Sequence, residues 1–318
     1  MKKIRKPVLA LLLLLLLAVR VLAQQLLIPG GQIIGLHLDG GQVIVAALAP
    51  DRASALQAAG VQPGDEVVAL DGQPIHHTAQ LQQALRESDG DVTLTIRRGR
   101  QEKTVSLHPK ITGDGPRLGL YLREGVSGIG TVTWYDPSTG AYGALGHGVR
   151  SGEAELTEGQ LFPAAIASVK KGLAGVPGQL RGRLESRTSC GSIDKNEVQG
   201  VFGRLETLWP GEPLPVADYT EVHPGRATIR STVTGTEPRE YDVEIVKIYP
   251  ETRKEGRNFL LRVTDPALLS MTGGIVQGMS GSPIIQDGRL VGAVTHVLVN
   301  DPTRGYGIFI ENMLEAAG

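Results

Sequence analysis

The sequence predicts a mainly β chain in two unequal parts, a small α+β unit followed by a larger all-β unit. Three observations predict it. Glycine (42) and proline (19) are abundant among 318 residues while aromatics make up 4%, a composition that favours many turns between short strands. From Leu118 onward short apolar runs alternate with Gly, Pro and Asp turns almost to the C-terminus, the spacing of a closed or sandwiched all-β domain. Before that point, two segments with helical spacing sit among strand-like runs.

The bulk numbers exclude several function classes. Basic residues (32) and acidic residues (33) balance, so no charge excess argues for nucleic acid and no acidic run for a disordered tail. Cys190 is the single cysteine, which rules out an internal disulfide or a Cys-based metal site. The length leaves room for two domains with sizeable cores.

Residues 1–25 form an export signal or signal anchor. Lys2, Lys3, Arg5 and Lys6 precede an apolar run from Val8 to Val19, and Ala23 offers a small residue at a cleavage point. The run is shorter than the roughly 20 residues a bilayer requires, although Val21 and Leu22 can extend it. The remainder is expected outside the cytoplasm, free or tethered.

Residues 26–109 read as one unit. "GGQIIGLHLDGGQVIVAAL" gives two β runs joined by a turn at Asp39-Gly40-Gly41. "SALQAAG" is a short helix ended by Gly60, and "PGDEVVAL" turns into a strand. "HTAQLQQALRES" places Leu81 and Leu85 at helical spacing, and "DVTLTIRRGRQEKTVSL" alternates around Arg98-Gly99 as a hairpin. This order, and "AAGVQPGDEVVALDGQPI" within it, resembles a PDZ domain. The resemblance implies a groove for a peptide terminus beside an exposed strand edge. Gln32, Ile33, Ile34 and Gly35 would form its carboxylate loop and Leu36, His37 and Leu38 its pairing strand. His77 and Thr78 open the helix lining that groove, with N-terminal capping by Thr78 the alternative role.

"PKITGDGPRLG" is a linker by its Gly and Pro density, and 110–318 is the all-β unit. "PAAIASVKKG" and "MLEAAG" are its helical candidates.

"GIVQGMSGSPIIQDGRLVGAVTH" supplies the chemistry. A serine nucleophile needs an adjacent base and donors for a developing oxyanion, and the small residues around Ser280 let backbone N–H groups converge. Ser282 stands where the G-x-S-x-G elbow requires glycine, and a hairpin rather than a helix follows. Strand–turn–strand after the serine resembles the chymotrypsin-like double barrel, with "GYGIFI" as its closing strand. That resemblance makes the Gly278 and Ser280 amides the oxyanion hole and Thr295, His296 and Val297 the substrate pocket.

Among seven histidines, His147 in "YGALGHGV" is the candidate base: glycines flank it at a strand end, where a substrate can approach closely. It also precedes Ser280, as chymotrypsin-like order requires. His296, at the end of an apolar strand, reads as a pocket wall. For the orienting acid, Asp136, Asp218, Asp242, Asp265, Asp287 and Asp301 are available, and spacing does not choose among them. Asp265 has a second reading as the cap of "PALLSMT", with Pro266 at its first position.

"ALGHGV", "LLRVTDPALLSMTGGIVQGMSGSPIIQDGRLVGAVTHVLVNDPTRGYGIFIENML" and the preceding PDZ-like unit resemble the stage IV sporulation protein B serine peptidases. Gly148 replaces that family's more apolar residue after the histidine. The resemblance implies His147 as general base, Asp265 as orienting acid and Ser280 as nucleophile, with no cofactor. It also implies a signalling endopeptidase of spore formation, exported into the space between forespore and mother cell membranes. There it would trim itself and cleave the regulatory partner of an intramembrane metalloprotease, triggering sigma-factor processing. Its PDZ ligand would be its own terminus, a partner's or an inhibitor's. An alternative function is a catalytically inactive PDZ adaptor. A metal site from His147, His296 and a carboxylate has no supporting sequence spacing.

Overall fold

The computed structural model describes residues 25–150, 156–250 and 256–318. All of the expected export segment except Gln25 lies outside the described residues. Among those described, no helix is long and apolar enough to cross a membrane.

β1 (Leu26–Pro29) and β2 (Ile33–Leu48) precede α1 (Ala53–Ala59), β3 (Glu66–Leu70), β4 (Gln73–Pro74) and α2 (Thr78–Glu87). The hairpin β5 (Val92–Arg98) and β6 (Gln101–Leu107) follows, then a small hairpin, β7 (Lys110–Thr112) and β8 (Gly115–Arg117). Next come β9 (Leu120–Tyr135), β10 (Ala141–Ala144), β11 (Gly159–Lys170), β12 (Gln179–Leu184), β13 (Gly191–Glu197), β14 (Gly200–Leu205) and β15 (Leu214–Pro215). The last part holds β16 (Gly225–Ser231), β17 (Arg239–Ile248), β18 (Phe259–Val263), α3 (Pro266–Thr272), β19 (Pro283–Gln286), β20 (Arg289–Leu298), β21 (Asp301–Phe309) and α4 (Ile310–Ala317).

Two barrels result. β16, β17, β18, β21, β20 and β19 close on one another in that order. A second circuit runs β9, β10, β14, β13, β11, β2 and back to β9. Alternation drives both: in β17, Tyr241, Val243 and Ile245 point inward between polar neighbours, as a strand with one solvated face requires. Phe259, Leu261, Ile284 and Phe309 fill the later barrel, and Ile34, Leu161, Val132 and Val201 the earlier one.

The expected hairpin at Asp39-Gly40-Gly41 is absent, because β2 runs unbroken for 16 residues. The glycines are absorbed as an irregularity opposite β9, where the register jumps between Leu38 and Val43. Gly125 across the ladder has φ +56, and a Cβ there would lie 1.8 Å from the Leu38 carbonyl oxygen. Two glycine kinks thus let one long two-stranded ribbon serve both the barrel and the small unit. The small unit, cored by Val43, Val67, Leu81, Leu94 and Ile96, projects from between two barrel strands. The expected division at residue 110 therefore does not follow the sheets, since residues 33–38 belong to the barrel.

"PAAIASVKKG" is strand, not helix: β11 pairs with β12, β13 and β2, and that pairing outweighs its alanines. The expected linker instead folds into the β7–β8 hairpin.

Candidate active site

Ser280 stands on a turn that only glycine could make. Gly278 has φ +100 and Gly281 φ +94, and a Cβ on Gly281 would sit 2.1 Å from the Thr131 carbonyl oxygen. Leu180 N–H donates to the Gln277 carbonyl (2.8 Å), so the trans peptide aims the Gly278 N–H the opposite way. Among the described residues, neither the Gly278 nor the Ser280 amide donates to any protein acceptor. The Ser280 hydroxyl donates to the Thr295 carbonyl at 2.8 Å.

His147 arrives from the other barrel. After β10, Leu145 (φ 69) and Gly146 (φ 68) both take the left-handed conformation, which for leucine is costly and is held by the surrounding structure. Nδ1 of His147 lies 2.9 Å from the Gly148 carbonyl oxygen. A carbonyl only accepts, so Nδ1 carries the proton and Nε2 keeps its lone pair. Asn196 clamps the loop, accepting from Val149 N–H (2.8 Å) and donating to the Val149 and Leu156 carbonyls. Gly148 must be small, since its Cβ would lie 2.6 Å from the Glu197 carbonyl oxygen.

Both residues line one cavity of about 430 Å³, together with Gly278, Thr295, His296 and Val297 from the expected oxyanion hole and pocket. Leu36, Leu38, Ile129 and Ile275 make much of its wall apolar. The His147 and His296 rings are 5.4 Å apart. Partial desolvation on the cleft wall lowers the His296 pKa, and the neighbouring His147 and Arg257 push it the same way.

Asp265 is not brought to His147. Its carboxylate accepts from Leu268 N–H (2.8 Å) and Asp242 N–H (3.4 Å), capping α3. None of the six candidate aspartates lines the cavity; Asp136 and Asp301 are spent on their own turns, and Asp287 bonds to His223. The Gly148 carbonyl occupies the position an orienting acid would take.

The expected PDZ pairing strand is a second correction. Ile34–Leu38 are paired on both edges, to β9 and to β11, so no peptide can add there. Gln32 and Ile33 are buried, Leu36 and Leu38 line the cavity shared by Ser280 and His147, and His37 bonds to Ser127. The unpaired edge beside α2 is Leu120–Glu124 of β9, whose other edge pairs with β2. It borders a cavity of about 280 Å³ against Leu81, Leu85 and Arg86 of α2, with Gly119 (φ +81) before it. "PRLGLYL", a glycine loop entering a strand, was the available signal, and its first four residues fall in the expected linker. His77, rather than Thr78, is the cap residue of α2, and Glu124 accepts from Thr78 N–H.

A PDZ domain profile matches residues 48–98, and the profile of SpoIVB peptidase S55 matches 115–314. No curated protein matches the chain. Among solved structures, the PDZ domain of the SdrC-like protein from Listeria monocytogenes is 17% identical, covering 26% of this chain and 87% of its own, with TM-score 0.22. An inactive serine-to-alanine mutant of Rv3671c from Mycobacterium tuberculosis is 14% identical, covering 59% and 79%, with TM-score 0.33. The peptidase profile spans well over half of the chain, which therefore belongs to the SpoIVB peptidase S55 family and is a serine peptidase.

Proposed function

We propose that the protein is an exported or membrane-tethered signalling endopeptidase in which Ser280 attacks the scissile carbonyl and His147 is the general base. The carrying observation is that Ser280 and His147, whose Nδ1 alone is engaged by the Gly148 carbonyl, line one cavity though they come from different barrels. The Ser280 hydroxyl would turn from the Thr295 carbonyl toward Nε2 as substrate enters. Nε2 takes the proton as Oγ bonds to the carbonyl carbon, and the oxyanion meets the Gly278 and Ser280 amides. The imidazolium then gives its proton to the leaving amine, and water repeats the sequence on the acyl-enzyme. Throughout, Nδ1–H donates to Gly148, a neutral acceptor in place of a carboxylate.

The apolar walls favour an extended substrate segment with apolar side chains. Peptide binding is assigned to the β9 edge beside α2, where a terminal carboxylate would meet the loop at Leu118 and Gly119. Self-trimming, cleavage of the regulator of an intramembrane metalloprotease and action between forespore and mother cell membranes are supported by family membership alone.

A fluorophosphonate probe tests the reading. Wild-type protein should label and Ser280→Ala should not, and mass spectra should show N-terminal trimming only in the wild type. Labelling that survives Ser280→Ala would remove Ser280 from the nucleophile role. Absence of labelling and trimming in the wild type, with peptide still bound, would establish the adaptor instead.

A further inference from the structure

We propose that His147 and His296 form an inhibitory Zn²⁺ site across the catalytic cleft. Regulation by metal rests on the reading of His147 and Ser280 as catalytic; the site itself rests on geometry.

Two imidazoles on one tetrahedral Zn²⁺ hold their ring centres about 5 Å apart, and these rings stand at 5.4 Å, tilted by 40°. Both line the same cavity. His147 spends only Nδ1, on the Gly148 carbonyl, an arrangement that fixes the tautomer as outer partners of metal-bound histidines do. The His296 ring makes no hydrogen bond or ion pair with the described residues, its backbone alone being held in the ladder of β20 with β21, so the ring is free to ligate. Water can complete the coordination, so Ser280→Ala leaves both imidazole ligands in place. No third His, Cys, Asp or Glu of the described residues joins the pair, and Arg257 opposes a cation there. Both facts weaken the site relative to a structural zinc centre and suit reversible occupancy.

The consequence is chemical. The Nε2 lone pair that must accept the Ser280 proton is the one donated to the metal. Bound zinc therefore consumes the base and blocks the cleft without altering a covalent bond. Imidazole selects Zn²⁺ over Mg²⁺ and Ca²⁺, which prefer oxygen ligands.

Zinc binding is measured by calorimetry on full-length Ser280→Ala, which cannot trim itself, and on the same protein carrying His296→Phe or His147→Phe. The single variant should bind one equivalent more than either double variant, or bind it roughly tenfold or more tightly. Thermal melts check that each protein folds. In parallel, Zn²⁺ should slow fluorophosphonate labelling of the wild type, EDTA should restore it, and Mg²⁺ should do nothing. Equal zinc binding in the single and double variants overturns the site, as does labelling indifferent to zinc. Failure of the wild type to label without metal would instead strike the catalytic reading and leave the binding measurement to decide the site.

Discussion

Thr131 Oγ1 donates to the Gly278 carbonyl at 2.8 Å, tying a strand of the first barrel to the turn that carries Ser280 in the second. The same residue uses its amide on the Ser280 carbonyl and accepts from Leu145 N–H, both at 3.2 Å. Thr131 is fully buried. One side chain and its backbone thus join the serine turn to the loop that delivers His147, and they do so where the barrels meet.

Thr131→Val should therefore separate stability from catalysis. Valine keeps the shape, so the loss is one buried hydrogen bond, about 1–3 kcal/mol with the Gly278 carbonyl left unpaired. The Gly278 amide drifts with its carbonyl, and kcat should fall by roughly tenfold to a hundredfold, short of the 10²–10³ for outright loss of an oxyanion donor. Steady-state kinetics beside a thermal melt checks it; an unchanged kcat would show that Thr131 does not hold the turn.

Asn196 gives a matching prediction on the base. Asn196→Ala removes three hydrogen bonds from the His147 loop, orphaning the Val149 amide and two carbonyls. The expected cost is about 1–3 kcal/mol, with kcat reduced and KM little changed, because no Asn196 atom lines the cavity. A rise in KM alone would contradict a positioning role.

Ser280 and His147 stand out as candidates in the sequence because the signals are local: small residues, a hairpin behind the serine, glycines beside the histidine; the structure brings both to one cavity. Thr131 and Asn196 were invisible, since their role is set by pairing between strands far apart in sequence and nothing in "GTVTW" or "DKNEV" marks it. The β2 error has a similar cause. Asp39-Gly40-Gly41 has the residues of a tight turn, yet Gly125 on a strand some 80 positions later lets the same glycines pass as a kink in a longer ladder. A turn at that position places the PDZ groove on residues 34–38, whose edges are both occupied.

Asp65 predicts a pH dependence. Its side chain is 1% exposed and pairs with Arg98 through two hydrogen bonds, 2.7 and 2.8 Å, while Gln62 N–H donates to it as well. Burial works to raise its pKa, but Arg98 and the Gln62 amide outweigh burial and hold it below the usual carboxylate value. A depressed folded pKa gives stability present above the unfolded value near 3.9 and lost as pH falls through the folded one. Asp65→Asn should therefore cost about 1–3 kcal/mol at neutral pH, the half-exposed Arg98 screening part of the pair. The difference from wild type should shrink below about pH 4. Denaturant unfolding at several pH values measures it; a difference constant down to pH 2 would assign the loss to packing.

Asp265 separates two roles by chemistry that asparagine can imitate in one case only. As the cap of α3 it accepts from Leu268 N–H, and asparagine caps about as well as aspartate, whereas alanine loses about 1 kcal/mol. As an orienting acid it would have to meet Nδ1 of His147, which is already given to Gly148, and an amide there would hold the wrong tautomer at a cost of about 10⁴ in kcat. The geometry leads to the first outcome: Asp265→Asn should keep kcat within a few-fold of wild type, and Asp265→Ala should lower the melting temperature while retaining turnover. A collapse of kcat in Asp265→Asn with an unchanged melt would mean that substrate binding remakes this corner of the site, releasing Nδ1 from Gly148 and the carboxylate from Leu268.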